Sequence, residues 1–310
     1  MISFVIPLKN EVDNLAELHG ELAAIASRAG LGEIETIYID DGSTDASWRV
    51  VESLARGDDR VRGIRFRRNF GKAAALTAGF QAARGEIVFT LDGDLQDDPA
   101  EIPRFLAKLD EGFDLVSGWK KRRHDPWHKV GPSRVFNWLV SRVTHCRLHD
   151  HNCGFKAYRR ILIDDIRIYG ELHRFVPALA YARGFKVGEI EVHHRARRFG
   201  VSKYGVSRFL KGLLDLATVR FLTHYGQRPL HMLGTAGLAL TGAGGLGLAV
   251  LMAGGWLGWN LGWIVAPAIL AGAVLVIGVQ LIGLGLLAEL VTSYNLDGSE
   301  TYSIAETIGE

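Results

Sequence analysis

Ile87-Val88-Phe89-Thr90-Leu91-Asp92-Gly93-Asp94-Leu95-Gln96-Asp97-Asp98-Pro99 (IVFTLDGDLQDDP, 87–99) passes from an uncharged apolar run directly into four carboxylates. A run of that length and composition reads as a buried strand, and Gly93, the aspartates and Pro99 end it in a turn. Working outward, candidate strands Ile2–Ile6, Glu35–Ile39, Val61–Phe66, Ile87–Leu91 and Asp114–Ser117 alternate with helical patterns at Val12–Arg28, Asp45–Ala55, Lys72–Arg84 and Ala100–Asp110. The alternation predicts an α/β fold on a mainly parallel sheet. Ligands of such sheets bind beyond the carboxyl ends of the strands. The stretches to inspect are therefore PLKNE, DDGSTD, RRNFGK and DGDLQDD, and carboxylates dominate two of them.

The remainder of the 310 residues divides by charge. All 36 Lys and Arg lie at or before Arg228, and the 58 residues from His231 to Ala288 contain no Asp, Glu, Lys or Arg. Residues 1–228 hold 29 of the 34 acidic residues and carry a net +7, which the formal +2 of the whole chain conceals. With 48% apolar and 23% charged residues, a disordered or wholly intramembrane chain is excluded. A hydrocarbon core about 30 Å thick is crossed by roughly 20 helical residues, so the charge-free run accommodates two spans, Leu233–Ala253 and Val265–Leu287. Between them GGWLGWNLGW permits a reversal, and Trp256, Trp259 and Trp263 suit a membrane–water boundary. Two core helices of a soluble protein would not dispense with charge over such a length. Because every basic residue precedes the spans, the large domain is expected in the cytoplasm. The N-terminus MISFVIPLKN lacks the pattern of a signal peptide and is expected to belong to the fold. Cys146 and Cys153 are too few for a disulfide framework or a four-thiolate zinc site, which favours a reducing compartment.

Asp92 and Asp94, one residue apart at a strand end, with Gln96 two further on, present hard oxygen donors suited to Mg²⁺ or Mn²⁺ held against substrate phosphates. An Asp-X-Asp turn is common, but Asp40-Asp41-Gly42 stands at the corresponding end of another strand. A carboxylate there can accept hydrogen bonds from ribose hydroxyls or a base imide, while Ser43 or Thr44 caps the helix that follows. Lys72 either touches a phosphate or is a solvated lysine at a helix start. From Val206 to Phe221, apolar Val206, Phe209, Leu210, Leu213, Ala217 and Phe221 oppose a polar stripe of Tyr204, Arg208, Lys211 and Asp215, as in a helix lying among headgroups. A second amphipathic stretch, Arg134–Thr144 with Val135, Trp138, Leu139 and Val143 on one side, would lie at the interface or pack on the sheet.

VIPLKNE (5–11), DDGSTD (40–45), RNFGKAAAL (68–76), DGDLQDDP (92–99), DHNCGFKAYRR (150–160) and SKYG (202–205) together resemble glycosyltransferase family 2. The resemblance is to the branch of dolichyl-phosphate mannose synthase and the bacterial polyprenyl-phosphate glycosyltransferases, and it extends to the C-terminal hairpin. It implies a cytoplasmic GT-A domain over residues 1–200, an amphipathic juxtamembrane helix over 201–230, two transmembrane helices over 231–290 and an acidic tail over 291–310. In a bacterium the inner membrane would hold it. The implied reaction moves a sugar from a UDP- or GDP-linked donor to a polyprenyl phosphate, with inversion and with Mg²⁺ or Mn²⁺. Carried over residue by residue, Pro7, Glu11 and Asp40 contact the nucleoside, Asp92 the nucleotide and the metal, and Asp94 and Gln96 the metal; Asp41 and Lys72 are further candidates for the nucleotide sugar, and Asp94 with Asp150 for catalysis. The family's tyrosine after VIP-hydrophobic is Lys9 here, and the acid that often precedes Phe in the fifth motif is Gly154, which leaves Asp150 as the nearest carboxylate for a base.

The acceptor has support in the residues themselves. From Trp119 to Arg134 six basic residues face one acid, Asp125, with Trp119 and Trp127 interleaved, and Arg195, Arg197, Arg198 and Lys203 form a second basic run. Either cluster could hold a lipid phosphate, each basic residue being worth on the order of 1 kcal/mol near an anionic surface. Arg122, Arg123, Arg134, Arg197 and Lys203 are the candidates. An ionised phosphate is already nucleophilic, so positioning and leaving-group stabilisation matter more than proton abstraction. A processive polysaccharide synthase would carry a Gln-x-x-Arg-Trp motif and more spans. A membrane scaffold with a decayed nucleotide site would not need the carboxylates at 92 and 94. A dinucleotide-dependent dehydrogenase would carry Gly-x-Gly-x-x-Gly after a strand, and nucleic acid is a poor partner for a chain with spans. The glycine-rich spans would suit close packing with other helices, including those of a second copy.

Overall fold

In the computed structural model the described residues are 1–121, 127–166, 172–195, 207–226 and 228–295. Strands β1 (Ile2–Leu8), β2 (Ile34–Asp40), β3 (Val61–Arg65) and β4 (Ile87–Thr90) are parallel and are joined by helices α1 (Leu15–Arg28), α2 (Ser47–Gly57) and α3 (Lys72–Ala82). These elements begin and end within three residues of the sequence reading. The largest shift is at α1, predicted from Val12. There Glu11 and Asn14 instead close a turn, Asn14 N–H donating to the Glu11 carbonyl at 3.0 Å. Helix α4 (Ile102–Asp110) leads into β5 (Leu115–Trp119), and α5 (Trp127–Thr144) into β6 (Lys156–Arg159). Then follow α6 (Arg160–Asp165), α7 (Val176–Ala182) and β7 (Val187–Glu191).

The sheet order is β3-β2-β1-β4-β6-β5-β7, with β6 antiparallel to both of its neighbours and β7 parallel to β5. Neither β6 nor β7 was foreseen. Lys156-Ala157-Tyr158-Arg159 is only four residues long and half of it is cationic, so it lacks the apolar run by which the other strands declare themselves. Side chains alternate across the sheet as strand geometry requires. Phe4, Ile6, Tyr38, Phe89, Phe155 and Ala157 face α1 and α4, whereas Val5, Ile37, Ile39, Val88 and Tyr158 face α3 and α7. The first face is held by aromatic packing, with the rings of Phe105 and Phe155 at 4.4 Å and Phe89 edge-on to Phe105 at 5.8 Å.

Helix α5 packs on the sheet side through Phe136 and Val140, while Val135 and Trp138 remain 59% and 65% exposed. Helix α8 (Ser207–His224) buries Leu216 and Val219, and Gly212 lies against the Phe136 ring, 3.0 Å from where a Cβ would stand. The apolar stripe read from the sequence differs: Ala217 is exposed, because the close approach to Phe136 turns the Gly212–Leu216–Val219 line inward.

The chain divides into two compact units, Met1–Val219 and Arg220–Glu310. In the second, α9 (Pro229–Trp256) and α10 (Leu261–Asn295) are both long and apolar enough to cross a membrane. They pack antiparallel through glycines. A Cβ on Gly278 would stand 2.5 Å from the Thr241 nitrogen, and one on Gly244 2.6 Å from the Leu275 nitrogen, so only glycine permits this approach. Gly258, at φ +85°, makes the reversal. The Glu289 carboxylate accepts the Leu230 amide at 3.1 Å, satisfying one of the orphan donors of the first turn of α9.

Phe105→Ala should destabilise the first unit by about 3–5 kcal/mol, read as a fall in the thermal midpoint of the detergent-solubilised protein. A change within error would mean that the aromatic stack does not hold this face.

Candidate active site

The carboxyl ends of β1, β2 and β4 open onto the motifs singled out by sequence. Asp40 is fully buried at the end of β2. Its Oδ1 accepts the Ser43 amide at 2.7 Å, and its Oδ2 lies 3.6 Å from Arg65 Nε. Asp41 accepts the amides of Phe70 at 2.6 Å and Gly71 at 3.0 Å, tying the DDG turn to the loop that starts α3. Gly42, at φ +69°, has to be glycine: a Cβ there would sit 2.5 Å from the Arg68 carbonyl carbon. Ser43 and Thr44 do not cap α2, which begins later with Asp45 Oδ1 accepting the Ser47 amide at 2.9 Å. They hold the β1 loop instead. Ser43 Oγ accepts the Asn10 amide at 3.0 Å, and the Thr44 amide donates to Asn10 Oδ1 at 2.8 Å. Asn10 has φ +58°, and the bend carries Pro7, Lys9 and Glu11, all half-buried, to this edge. Glu11 is fixed by its amide donating to Ser47 Oγ at 2.9 Å and by its carboxylate accepting Asn14 Nδ2 at 2.6 Å.

Past β4, Leu95 adopts φ +58°, a left-handed bend uncommon outside glycine, which folds the DGDLQ turn back on itself. Asp94 is buried and its Oδ1 accepts the Gln96 amide at 3.2 Å. Asp92, with its side chain 34% exposed, pairs with Lys72. Of the two readings of Lys72, the pairing sets its ammonium beside Asp92 and not free in solvent. Lys120 pairs with Asp97 at 2.8 Å. Residues 192–195 cross the same turn: Asp97 and His194 form an isolated bridge, the Arg195 amide donates to the Gln96 carbonyl at 2.9 Å, and the Arg195 guanidinium reaches Glu21 and Asp98, each at 2.7 Å.

The 150–154 turn closes the other side. Asp150 is 1% exposed, and its Oδ1 accepts the Asn152 amide at 3.1 Å. Thr90 Oγ1 donates to the Gly154 carbonyl at 2.7 Å, and Gly154 lies so close to Asp92 that a Cβ would stand 2.6 Å from Asp92 Oδ2. The sequence reading treated Gly154 only as a missing acid. Any side chain there would collide with the Asp92 carboxylate. Arg134 is exposed on α5, and Arg122, Arg123, Arg197 and Lys203 lie outside the described residues.

Asp92, Asp94 and Gln96 offer oxygen donors from a single turn, which suits a hard divalent cation such as Mg²⁺ or Mn²⁺. Among the described residues no group of three His, Cys, Asp or Glu side chains encloses a metal. The donor set therefore fits a cation whose shell is completed by substrate oxygens and water, not one caged by protein.

The glycosyl transferase family 2 profile matches residues 3–167, which runs from β1 through α6 and holds five of the six motifs, SKYG (202–205) lying beyond it. The chain belongs to glycosyl transferase family 2. A dodecaprenyl-phosphate galacturonate synthase from Rhizobium johnstonii is 38% identical over 317 residues, covering 98% of this chain and 92% of that one. Among solved structures, glucosyl-3-phosphoglycerate synthase from Mycobacterium tuberculosis, in complex with Mn²⁺, UDP and phosphoglyceric acid, matches 72% of this chain and 78% of that one. Its TM-score is 0.56 at 18% identity. The same enzyme with Mn²⁺, UDP-glucose and phosphoglyceric acid gives a TM-score of 0.55 at 19% identity, over 72% and 79% of the two chains. At that identity the likeness establishes the fold, the GT-A arrangement of a mostly parallel mixed sheet.

The electrostatics of this family 2 site are those of carboxylates embedded among lysines. Burial opposes ionisation of Asp92, yet Lys72, with Lys120 and Lys156 behind it, holds its pKa down at about 2. Burial likewise works against the Lys72 ammonium, but Asp92 outweighs it and the pKa is raised. Lys120 is raised in the same way, Asp97 overcoming its burial. Burial and the nearby Lys72 hold His173 neutral with a pKa of about 2, and burial drives the Cys153 thiol up to about 12, so neither is a base or thiolate at neutral pH. His173 and Lys156 were missed in the sequence, and Lys120 and Arg195 were read only as members of basic runs for the acceptor, because none follows a strand in the first half of the sheet.

Gly154→Ala should push the Asp92 carboxylate aside and lower sugar-transfer turnover on the order of a hundredfold, the scale of an ångström-sized misplacement, with circular dichroism unchanged. Wild-type turnover in this variant would show that the close approach is dispensable.

Proposed function

We propose that this enzyme transfers a sugar from a nucleoside diphosphate donor to the phosphate of a polyprenol at the cytoplasmic face of a membrane. The observation that carries the reading is the 38% identity, over 98% of the chain, to a relative named for a dodecaprenyl-phosphate product. The two long apolar helices fit an acceptor that resides in lipid. In this reading Pro7, Glu11, Asp40 and Asp41 form the nucleoside end, and Asp92 and Lys72 the diphosphate end. Asp92, Asp94 and Gln96 would hold Mg²⁺ or Mn²⁺, which supplies charge neutralisation for the departing diphosphate.

The acceptor phosphate oxygen attacks the anomeric carbon from the face opposite the diphosphate. The new glycosyl–phosphate bond forms as the bond to the nucleoside diphosphate breaks, and the configuration inverts. Lys72 stabilises charge on the leaving group. A phosphate monoester is ionised at neutral pH, so no proton needs to be removed from it. Asp150, buried and bonded to the Asn152 amide, orders the turn beside Asp92, and is the candidate base should the reaction need one. Arg134 and the basic residues at 122, 123, 197 and 203 are candidates for holding the acceptor phosphate.

The test is release of nucleoside diphosphate by the purified protein given undecaprenyl phosphate and a panel of UDP- and GDP-sugars that includes a uronate. Release should require both substrates, and Asp94→Ala or excess EDTA should abolish it. Full activity under either condition would overturn the metal assignment. Topology is tested separately with thiols placed singly at Asn260 and Ser303, the native Cys146 and Cys153 being buried. The two positions should label from opposite sides of the membrane. Labelling from one side would overturn the hairpin and its cytoplasmic orientation.

A further inference from the structure

Lys156 opens β6 opposite Thr90 of β4 and Ser117 of β5, which puts it at the edge where Asp92 emerges. It is 3% exposed. Lysines that deep are almost never found without a counter-charge. Lys72 and Lys120 conform, pairing with Asp92 and Asp97. Among the described residues Lys156 has no such partner: its ammonium donates to the Cys153 carbonyl. Asp92 and Asp150 are close enough to act on it through space, and so is the like charge of Lys72. Burial, together with repulsion from Lys72, pulls its pKa below the ordinary lysine value. The site thus contains a buried cation with an acceptor but without an ion pair, one residue beyond the Gly154–Phe155 pair that backs Asp92.

We propose that Lys156 is a positioning residue whose missing counter-charge is the donor's diphosphate, and which holds the Cys153 carbonyl, and with it Gly154, against Asp92. The inference rests on the nucleoside diphosphate donor proposed above. Lys156 is too deep to touch the ligand broadly. It acts through Asp92 and Lys72, and by a positive field that a low-dielectric surround transmits with little screening. An anion seated between those two residues relieves the repulsion between Lys72 and Lys156, so binding gains what the empty site lacks.

This account makes stability and affinity move in opposite directions. Replacing an uncompensated buried ion by an apolar residue of similar length is often neutral or stabilising. In the full-length protein in detergent, Lys156→Met should keep or raise Tm while weakening UDP or GDP binding about ten- to a hundredfold, the scale of a buried charge acting on an anion through a low-dielectric surround. Affinity is read by calorimetry with Mn²⁺ and again in EDTA. The free nucleosides uridine and guanosine, which lack the diphosphate, should bind both proteins equally. Lys156→Arg should retain most of the diphosphate affinity, which a requirement for packing volume alone would not predict. A Lys156→Met protein that binds UDP and GDP as wild type does, or that loses Tm with affinity unchanged, overturns the proposal. So does equal weakening of nucleoside and nucleoside diphosphate. Wild-type protein that binds neither UDP nor GDP overturns the donor reading itself, a failure distinct from the others because it appears before any variant is compared.

Discussion

Asp92 leaves β4 carrying a charge that the sheet edge, only a third open to water, would penalise without help. The lysines around it make that charge stable, and they come from separate parts of the chain: Lys72 from the start of α3, Lys120 from the end of β5 and Lys156 from the start of β6. Together they keep the carboxylate ionised, Lys72 contributing most. The topology delivers them. Because β6 runs antiparallel between β4 and β5, it begins where its neighbours end, and so the residues that precede it lie at the ligand edge. Gly154 reaches Asp92 for that reason.

The same reversal explains which parts of the site were legible in the sequence. The rule that ligand residues stand at strand ends points to Glu11, Asp40, Asp41, Asp92, Asp94 and Gln96, since these end or follow β1, β2 and β4 and share one edge of the sheet. It cannot find residues placed before a strand, and β6 itself is concealed by Lys156 and Arg159 at its two ends. The motif around Gly154 was visible as a string without a location. Side-chain partnerships were less legible still. Ser43 and Thr44 have the chemistry of helix caps, but Asn10 from another loop competes for them and wins, because the carboxyl ends of β1 and β2 are adjacent. The pairing of Lys72 with Asp92 likewise depends on two strands and a crossover that no local pattern encodes.

In the second unit the sequence was more informative, because composition is itself the determinant. Leu246, Met252, Ile269 and Leu287 are each at least 60% exposed, and in water a patch of that kind would drive association. In hydrocarbon it carries no penalty. The helices then have no hydrophobic drive to pack on one another and rely on close van der Waals approach, which is what Gly237, Gly244 and Gly278 allow. Glu289 looks anomalous at the end of an apolar run until its bond to the Leu230 amide places it at the paired end of the hairpin, opposite the Gly258 turn.

The balance of charged groups also bears on mechanism. A reaction limited by proton abstraction calls for a base held near neutral pKa within reach of the proton. Four groups of the site are not in that condition: Asp92 is held strongly acidic, His173 and His151 are kept neutral by burial with pKa values of about 2 and about 4, and the Cys153 thiol stays protonated. The arrangement spends its polar residues on charge instead, with carboxylates able to take a cation and lysines able to take a diphosphate. Chemistry that joins an already ionised phosphate to a sugar and expels another phosphate needs that division and little else. A hydroxyl acceptor would need a base as well, and Asp92, His173, His151 and the Cys153 thiol are each held out of that role.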